Sequence, residues 1–211
     1  MPLSVISFAT YKRPPYISTD YPALKFVKAV KGKPFTGYAD VPVLGRWKRL
    51  IPANADEAVG WFGELAAAEL VRQFSAPITL VPLPNSSSTV DNRMVPRTAY
   101  LAETIASKLT KATVWDGMRW IEEMIPTHQE GTRDPQELYD NLRVIRAAPK
   151  CALVLVDDVY TRGGHLQAAV ARLGERKAAC RLAICAGRTV LESPDNPFEI
   201  LTAQLPDFVP D

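Results

Sequence analysis

Apolar and polar positions follow two different periods along the middle of the chain, and the two periods alternate. Where apolar residues recur every three to four positions, helices are predicted over residues 54–74, 97–108 and 166–173. Short, mostly apolar runs predict strands at residues 78–83, 113–116, 151–156 and 180–186. Segment 117–133 has no strong period and separates the second strand from the third.

Two helix starts are marked by capping residues. Asn54 and Glu57 have the spacing of a capping box and open the first long helix. Asp134 provides an N-cap and Pro135 suits the first helical position, so a short helix is predicted there, with Glu137 completing a second capping box.

The order of these elements predicts an α/β protein with a Rossmann-like parallel sheet flanked by helices. Strands that alternate with helices form parallel sheets with right-handed crossovers. Ligands of such sheets bind beyond the carboxyl ends of the strands, so we expect the functional residues at those ends.

Prolines are concentrated near the two ends of the chain. Seven of the 18 prolines precede Ala53 and four follow Ser193, and proline interrupts both helices and central strands. We therefore expect an N-terminal hood or subdomain over residues 1–52, then a core over residues 53–211 whose tail is irregular from residue 188.

Composition and charge exclude several classes of protein. The 211 residues carry 25 Lys and Arg against 23 Asp and Glu, so nucleic-acid binding by bulk charge is not expected. Three cysteines without a CxxC pair offer neither a disulfide framework nor a metal site. The longest apolar run has six residues and the start lacks a signal peptide, so a cytoplasmic protein without membrane contact is expected.

The strongest chemical signal follows the third predicted strand. The apolar run ends in Asp157 and Asp158, and a turn over residues 161–165 then enters a helix. Carboxylates accept hydrogen bonds from hydroxyl groups, and backbone N–H groups at a helix N-terminus bind phosphate. A ligand with a phosphate and a diol about one ribose apart would satisfy both halves. The alternative is a structural strand end with an acidic cap and a flexible turn.

This stretch resembles the PRPP-binding motif of type I phosphoribosyltransferases, where PRPP is 5-phosphoribosyl 1-diphosphate. The resemblance implies that Asp157 and Asp158 are catalytic residues that hold the 2- and 3-hydroxyls of the ribose. It implies that the following residues bind PRPP, mostly around its 5-phosphate: Tyr160, Thr161, Arg162, Gly163, Gly164 and His165. The family usually has Thr or Ser where His165 stands, so His165 either donates from a ring nitrogen or points away.

The loop after the first predicted core strand holds pyrophosphate in that family. Carried over, this loop comprises Pro84, Asn85, Ser86, Ser87 and Arg93. Its spacing is similar to that of the ComF-like branch, although only Arg93 of that branch's motif is kept. An ordinary solvated loop is the alternative.

Segment 117–133 is long for a loop in a compact domain, which is typical of functional or disordered segments. The resemblance implies a mobile loop that closes over PRPP, with Arg119, His128 and Arg133 as its polar candidates. The alternative is a variable insertion without a role in binding.

The function implied is transfer of the 5-phosphoribosyl group of PRPP to a nitrogen base or amine, with release of pyrophosphate. Mg²⁺ would be bound mainly through PRPP, the hood would bind the acceptor, and a homodimer is an open expectation. Two alternatives remain. One is a protein of the same fold without catalysis, either a regulator that binds PRPP or a nucleotide, or a ComF-like DNA-uptake or interaction module. The other is an unrelated αβα protein whose acid pair arose by chance.

Overall fold

The computed structural model describes residues 2–92, 94–124 and 134–211. Its strands are, in chain order, β1 (Leu3–Ser7), β2 (Thr10–Lys12), β3 (Ala39–Val43), β4 (Arg46–Leu50), β5 (Ile78–Pro82), β6 (Ala112–Val114), β7 (Met118–Trp120), β8 (Leu142–Val144), β9 (Ala152–Tyr160), β10 (Cys180–Val190) and β11 (Leu201–Leu205). Its helices are α1 (Tyr21–Val30), α2 (Glu57–Gln73), α3 (Arg97–Ala106), α4 (Pro135–Asn141) and α5 (Gly164–Glu175).

Seven strands form one central sheet, and the predicted α/β class with a parallel sheet flanked by helices is confirmed. The strand order is β11-β1-β10-β9-β5-β6, and β2 also pairs with β10. Every pairing in this sheet is parallel except that of β11 with β1. Two small antiparallel sheets, β3–β4 and β7–β8, stand apart from it.

Helices cover both faces of the central sheet. Apolar residues of α1, α2 and α3 share one core cluster with Val154 and Val156, whereas those of α4 and α5 share the other with Leu153 and Leu155. Strand β9 therefore sends successive side chains into opposite apolar layers. This burial on both sides explains its unbroken apolar run.

The N-terminal segment differs from the predicted hood in one respect, because its first strands belong to the central sheet. Strand β1 lies between β10 and β11, and Val5 and Ile6 are fully buried. Proline is absent from β1 and β2 themselves, so it does not prevent their pairing. The remainder of the predicted hood holds α1 and the β3–β4 hairpin, and the boundary at residue 52 stays a prediction.

The C-terminal tail is more regular than expected. Strand β10 continues to Val190, and β11 pairs with β1 from Leu201 to Leu205. The prolines after Ser193 lie outside both strands, which is why they interrupt the tail without making all of it irregular.

One helix cap is formed as predicted and one is not. Asp134 accepts a hydrogen bond from the backbone N–H of Gln136 at 3.1 Å and caps α4. The Asn54 side chain instead accepts from the Ile51 N–H at 2.8 Å, and α2 begins three residues later without a side-chain cap. The first capping box is therefore replaced by a short 3₁₀ turn.

No helix within the described ranges is long and apolar enough to cross a membrane.

We predict that β1 is part of the cooperative core and does not unfold separately as a hood would. Ile6→Ala removes a side chain that is 1 % exposed and should lower the free energy of unfolding by about 2–5 kcal/mol, measured by urea denaturation. Ile17→Ala, at a side chain that is 50 % exposed, is the control and should change it by less than about 0.5 kcal/mol. A small effect of Ile6→Ala, or two separate transitions, would contradict this assignment.

Candidate functional site

The acid pair lies at the point where the crossovers of the sheet diverge. From β5 the chain passes through α3 on one face to β6, and from β9 it passes through α5 on the other face to β10. Strands β5 and β9 are neighbours, with Pro82 in register with Val156. Their carboxyl ends therefore open a crevice, which is where open α/β sheets bind ligands. Asp157 and Asp158 follow at that edge.

The strand itself is longer than predicted. Residues Asp157 to Tyr160 still belong to β9 because β10 continues to pair with them, with Cys185 opposite Asp157 and Arg188 opposite Tyr160. The turn into α5 is shorter than the predicted 161–165 because α5 already begins at Gly164. The carboxylates are thus held by a strand that is paired on the β10 side and free of β5, which ends at Pro82.

The two carboxylates are in different environments. Asp158 Oδ1 accepts from Lys31 Nζ at 3.1 Å, and the Asp158 side chain is 24 % exposed. Asp157 Oδ1 accepts from the backbone N–H of Asp158 at 2.8 Å. Burial raises the pKa of Asp157 to about 8, and the charge of Asp158 adds to this effect. The hydrogen bond from the Asp158 N–H and the charge of Lys31 lower the pKa in part. At neutral pH the pair therefore tends to carry one proton on Asp157.

Lys31 is a candidate site residue that sequence reasoning missed. It caps the carboxyl end of α1, 127 positions before Asp158, so no local spacing connects the two. Arg97 at the start of α3 donates from Nε to the Val30 carbonyl at 2.8 Å. That contact fixes the end of α1 beside the acid pair and gives a role to Arg97.

The glycine turn begins α5 without a side-chain cap. Gly163 is the N-cap residue with φ at +84°, in the left-handed region that favours glycine. A Cβ at this position would lie 2.3 Å from Cδ1 of Leu205, so only glycine fits there. The first N–H groups of α5 have no intrahelical partner, and α5 has 12 residues, so its amino end favours an anion.

The other residues of the predicted PRPP loop differ in how far they are exposed to solvent. Arg162 is exposed, and Thr161 Oγ1 accepts from Thr189 Oγ1 at 3.0 Å. Tyr160 is buried in the apolar cluster beneath α5, where burial raises the pKa of its hydroxyl although Arg188 opposes this. The Tyr160 side chain therefore belongs to the core, unlike Arg162.

His165 packs against an aromatic ring. The ring centroids of His165 and Trp120 are 5.5 Å apart and tilted by 52°. Burial lowers the pKa of His165, with Asp158 acting in the opposite direction. The imidazole is therefore neutral near pH 7 and offers one ring N–H.

Trp120 connects the turn to the predicted pyrophosphate loop, and sequence reasoning gave it no role. Its indole Nε1 donates to the Pro84 carbonyl at 3.3 Å. Its backbone N–H donates to the Ser88 carbonyl at 3.0 Å, and its carbonyl accepts from the Val90 N–H at 2.8 Å. The loop after β5 and the start of α5 thus meet on one buried indole at the mouth of the crevice.

The predicted pyrophosphate loop is closed by its own hydrogen bonds. Asn85 Nδ2 donates to Ser87 Oγ at 3.0 Å, the Ser88 hydroxyl donates to Asn85, and the Ser86 carbonyl accepts from the Met124 N–H at 2.9 Å. Arg93 lies outside the described residues. The side chains of Asn85 and Ser87 would have to exchange these bonds to hold a ligand.

The predicted mobile-loop role of Arg119 needs correction. Arg119 lies in β7, is buried, and donates from Nη2 to Asp116 Oδ2 at 2.7 Å and from Nη1 to the Met118 carbonyl at 2.7 Å. A guanidinium held in this way is not free to reach pyrophosphate. His128 and Arg133 lie outside the described residues.

Comparisons with known proteins give limited information. No protein-family model matches the chain, and no curated protein matches it. A crystal structure of hypoxanthine phosphoribosyltransferase from Staphylococcus aureus is similar with a TM-score of 0.41 and 12% identity, covering 62% of this chain and 72% of that one. Orotate phosphoribosyltransferase from Aeropyrum pernix is similar with a TM-score of 0.38 and 13% identity, covering 77% and 93%. Scores below 0.5 do not establish a shared fold, so the function proposed below depends on the residues of this chain.

We predict that ionisation of Asp157 destabilises the fold. Its folded-state pKa lies above the ordinary value, so between about pH 4 and pH 8 the unfolded chain releases a proton that the folded chain keeps, and stability falls as pH rises. Asp157→Asn cannot ionise, so its Tm relative to the unmodified chain should increase across this window, measured by thermal denaturation from pH 4 to 8. A Tm difference that does not change with pH would contradict the raised pKa of the half-buried Asp157.

Proposed function

We propose that this chain binds PRPP in the crevice between β5 and β9 and transfers the 5-phosphoribosyl group to a nitrogen base or amine, releasing pyrophosphate. The observation that carries the proposal is the arrangement at the end of β9. Two adjacent carboxylates and an uncapped, glycine-initiated helix lie within a few residues of each other at the diverging crossovers.

The acid pair suits the ribose. A carboxylate accepts hydrogen bonds, and a protonated carboxyl can also donate one, so a pair that holds one proton between its members can bind two neighbouring hydroxyls. Asp158 accepts a hydrogen bond from Lys31, while the raised pKa of Asp157 keeps a proton available. We assign the 2- and 3-hydroxyls to this pair.

The turn suits the 5-phosphate. The free N–H groups at the start of α5 and the helix dipole both favour an anion. Arg162 is exposed beside this turn and adds a full positive charge. Leu205 fills the space where a Cβ of Gly163 would project. The phosphate would therefore approach from the side of Thr161 and Arg162.

The residues present fit a magnesium ion that is held mainly through the ligand. Carboxylate oxygens are ligands that Mg²⁺ accepts, but Asp158 already contacts Lys31. When bound, Mg²⁺ would neutralise the charge that develops on the departing pyrophosphate. Asp157 and Asp158 would hold the ribose in position while this happens.

The transfer itself requires mainly positioning. The acceptor nitrogen forms a bond to C1 of the ribose, the bond from C1 to the pyrophosphate oxygen breaks, and its electron pair leaves with pyrophosphate. The acceptor's surplus proton passes to solvent. The Asp158 carboxylate would lie close to the positive charge that develops on the sugar ring, which is the electrostatic contribution that such a transition state needs.

A second candidate function, binding of PRPP without turnover, is favoured by one feature. The side chains of Asn85 and Ser87 bond to each other, and Arg119 is tied to Asp116. None of these three predicted pyrophosphate contacts is therefore free in the described arrangement. A regulator that binds PRPP without turnover would need only the acid pair for the ribose and the turn before α5 for the 5-phosphate.

Calorimetric titration tests the binding that both candidates share. PRPP with Mg²⁺ should bind the unmodified chain, and Asp157→Asn combined with Asp158→Asn should weaken binding by about tenfold to a hundredfold, because hydrogen bonds to charged groups are lost. Asp195→Asn, at an exposed carboxylate between β10 and β11, is the matched control and should leave the dissociation constant unchanged. Absence of PRPP binding, or equal binding by the double variant, would discard both candidates.

Release of pyrophosphate separates the two candidates. With PRPP, Mg²⁺ and a panel of nitrogen bases and amines, a transferase should release pyrophosphate in an acceptor-dependent reaction that Asp195→Asn leaves unchanged. Binding of PRPP without release for any acceptor would replace the transferase by the regulator.

A further inference from the structure

A second concave site lies at the opposite end of the central sheet. A cavity of about 370 Å³ opens where β9 and β10 begin, at their amino ends. About 20 Å of strand separates Ala152, which lines this cavity, from Asp158. The cavity is therefore distinct from the crevice that holds the acid pair.

Its lining is basic on one part and apolar on another. Three cationic side chains contribute to it, those of Lys150, Lys177 and Arg181. Phe74 and Leu153 are among its apolar residues. None of the residues that line it is acidic.

Among the residues that the structure describes, no acidic side chain pairs with these three cations. Within residues 2–92, 94–124 and 134–211, no ion pair or side-chain hydrogen bond involves Lys150, Lys177 or Arg181. Like charges around one concavity repel each other and concentrate a positive potential there. An anion that enters the cavity relieves this repulsion. Exposed lysines on a convex surface are farther apart, so an anion gains less by binding to them.

The local backbone supports a specific placement of two of these side chains. Arg181 lies where the register between β9 and β10 shifts, between Cys180 and Leu182. Such irregularities re-aim a side chain out of the regular alternation of a strand. Lys177 follows α5 with φ at +56°, a left-handed conformation in which glycine is more stable. A lysine at this position carries a stability cost, and it places a cation at the cavity.

We propose that this cavity binds an oligophosphate group, either as a free oligophosphate or as part of a nucleotide. Three cations match several negative charges, and Arg181 can bind phosphate oxygens through two N–H groups. The volume falls within the range of small-molecule sites. The apolar wall at Phe74 and Leu153 provides the surface on which a nucleotide base can rest. The proposal does not depend on the function assigned to the acid pair.

The experiment is calorimetric titration of the full chain with tripolyphosphate, with ATP and with adenosine. We expect tripolyphosphate and ATP to bind, adenosine alone to bind far more weakly, and both affinities to fall as salt concentration rises. Arg181→Gln and Lys150→Gln should each weaken binding about tenfold, because a charge-assisted hydrogen bond is lost. Tighter binding of ATP than of tripolyphosphate identifies a nucleotide site, and equal affinities identify a free oligophosphate site.

Two controls separate this site from the crevice and from charge alone. Arg146→Gln removes the same charge from an exposed position that does not line the cavity, and it should change the dissociation constant less than twofold. Arg162→Gln alters the turn before α5 and should leave this binding in place. Absence of saturable binding, loss of binding in Arg162→Gln, or equal binding by Arg181→Gln and Arg146→Gln would overturn the proposal.

Lys177→Gly gives a test in which stability and binding move in opposite directions. Glycine suits the left-handed position, so the Tm without ligand should rise, while the increase in Tm caused by tripolyphosphate should shrink. Cys151 lines the same cavity, and its alkylation, followed by mass spectrometry, should slow when tripolyphosphate binds. An unchanged ligand-induced Tm increase in Lys177→Gly, together with unprotected Cys151, would show that Lys177 only ends the helix.

Discussion

Two half-buried carboxyl groups lie side by side near the end of β9, and the cost of ionising both of them there shapes the rest of the site. Desolvation raises the pKa of Asp157, and Lys31 compensates the charge of Asp158. A fold gains nothing in stability from such an arrangement when a neutral pair would pack as well. This cost is the physical reason for our proposal that the acid pair binds a ligand, whose hydroxyls would replace solvent at that edge.

The surroundings of the pair are assembled from distant segments. Lys31 reaches it from α1, Arg97 fixes the end of that helix, and Trp120 joins His165 to the loop after β5. The same crossover geometry that separates the helices into two layers also opens the crevice between β5 and β9. The ligand position that we propose thus follows from the sheet topology, since a chain that crosses over both faces leaves an unfilled space between its two central strands.

Sequence reasoning predicted the parts of this molecule that depend on local periodicity. Helices α2, α3 and α5 and strands β5, β9 and β10 bury continuous apolar stripes or runs, so their positions are visible in the order of residues. Strands β1 and β11 were missed because each is short and lies beside proline-rich segments, and their stability comes from partners almost 200 positions away. For the same reason Lys31 and Trp120 were missed. Arg119 was assigned to a mobile loop because segment 117–133 has no strong period, although Asp116, three residues before it, holds its side chain.

The most direct measurement of the central claim is an NMR titration of ¹⁵N-labelled protein with ribose 5-phosphate, which carries the sugar hydroxyls and the phosphate and lacks the pyrophosphate. The account predicts that the largest saturable shifts fall on the backbone amides of Asp157, Asp158 and the 161–166 turn, because the ligand contacts both halves at once. No saturable shifts, or shifts confined to the amino ends of β9 and β10, would contradict a sugar-phosphate site at the end of the central strand.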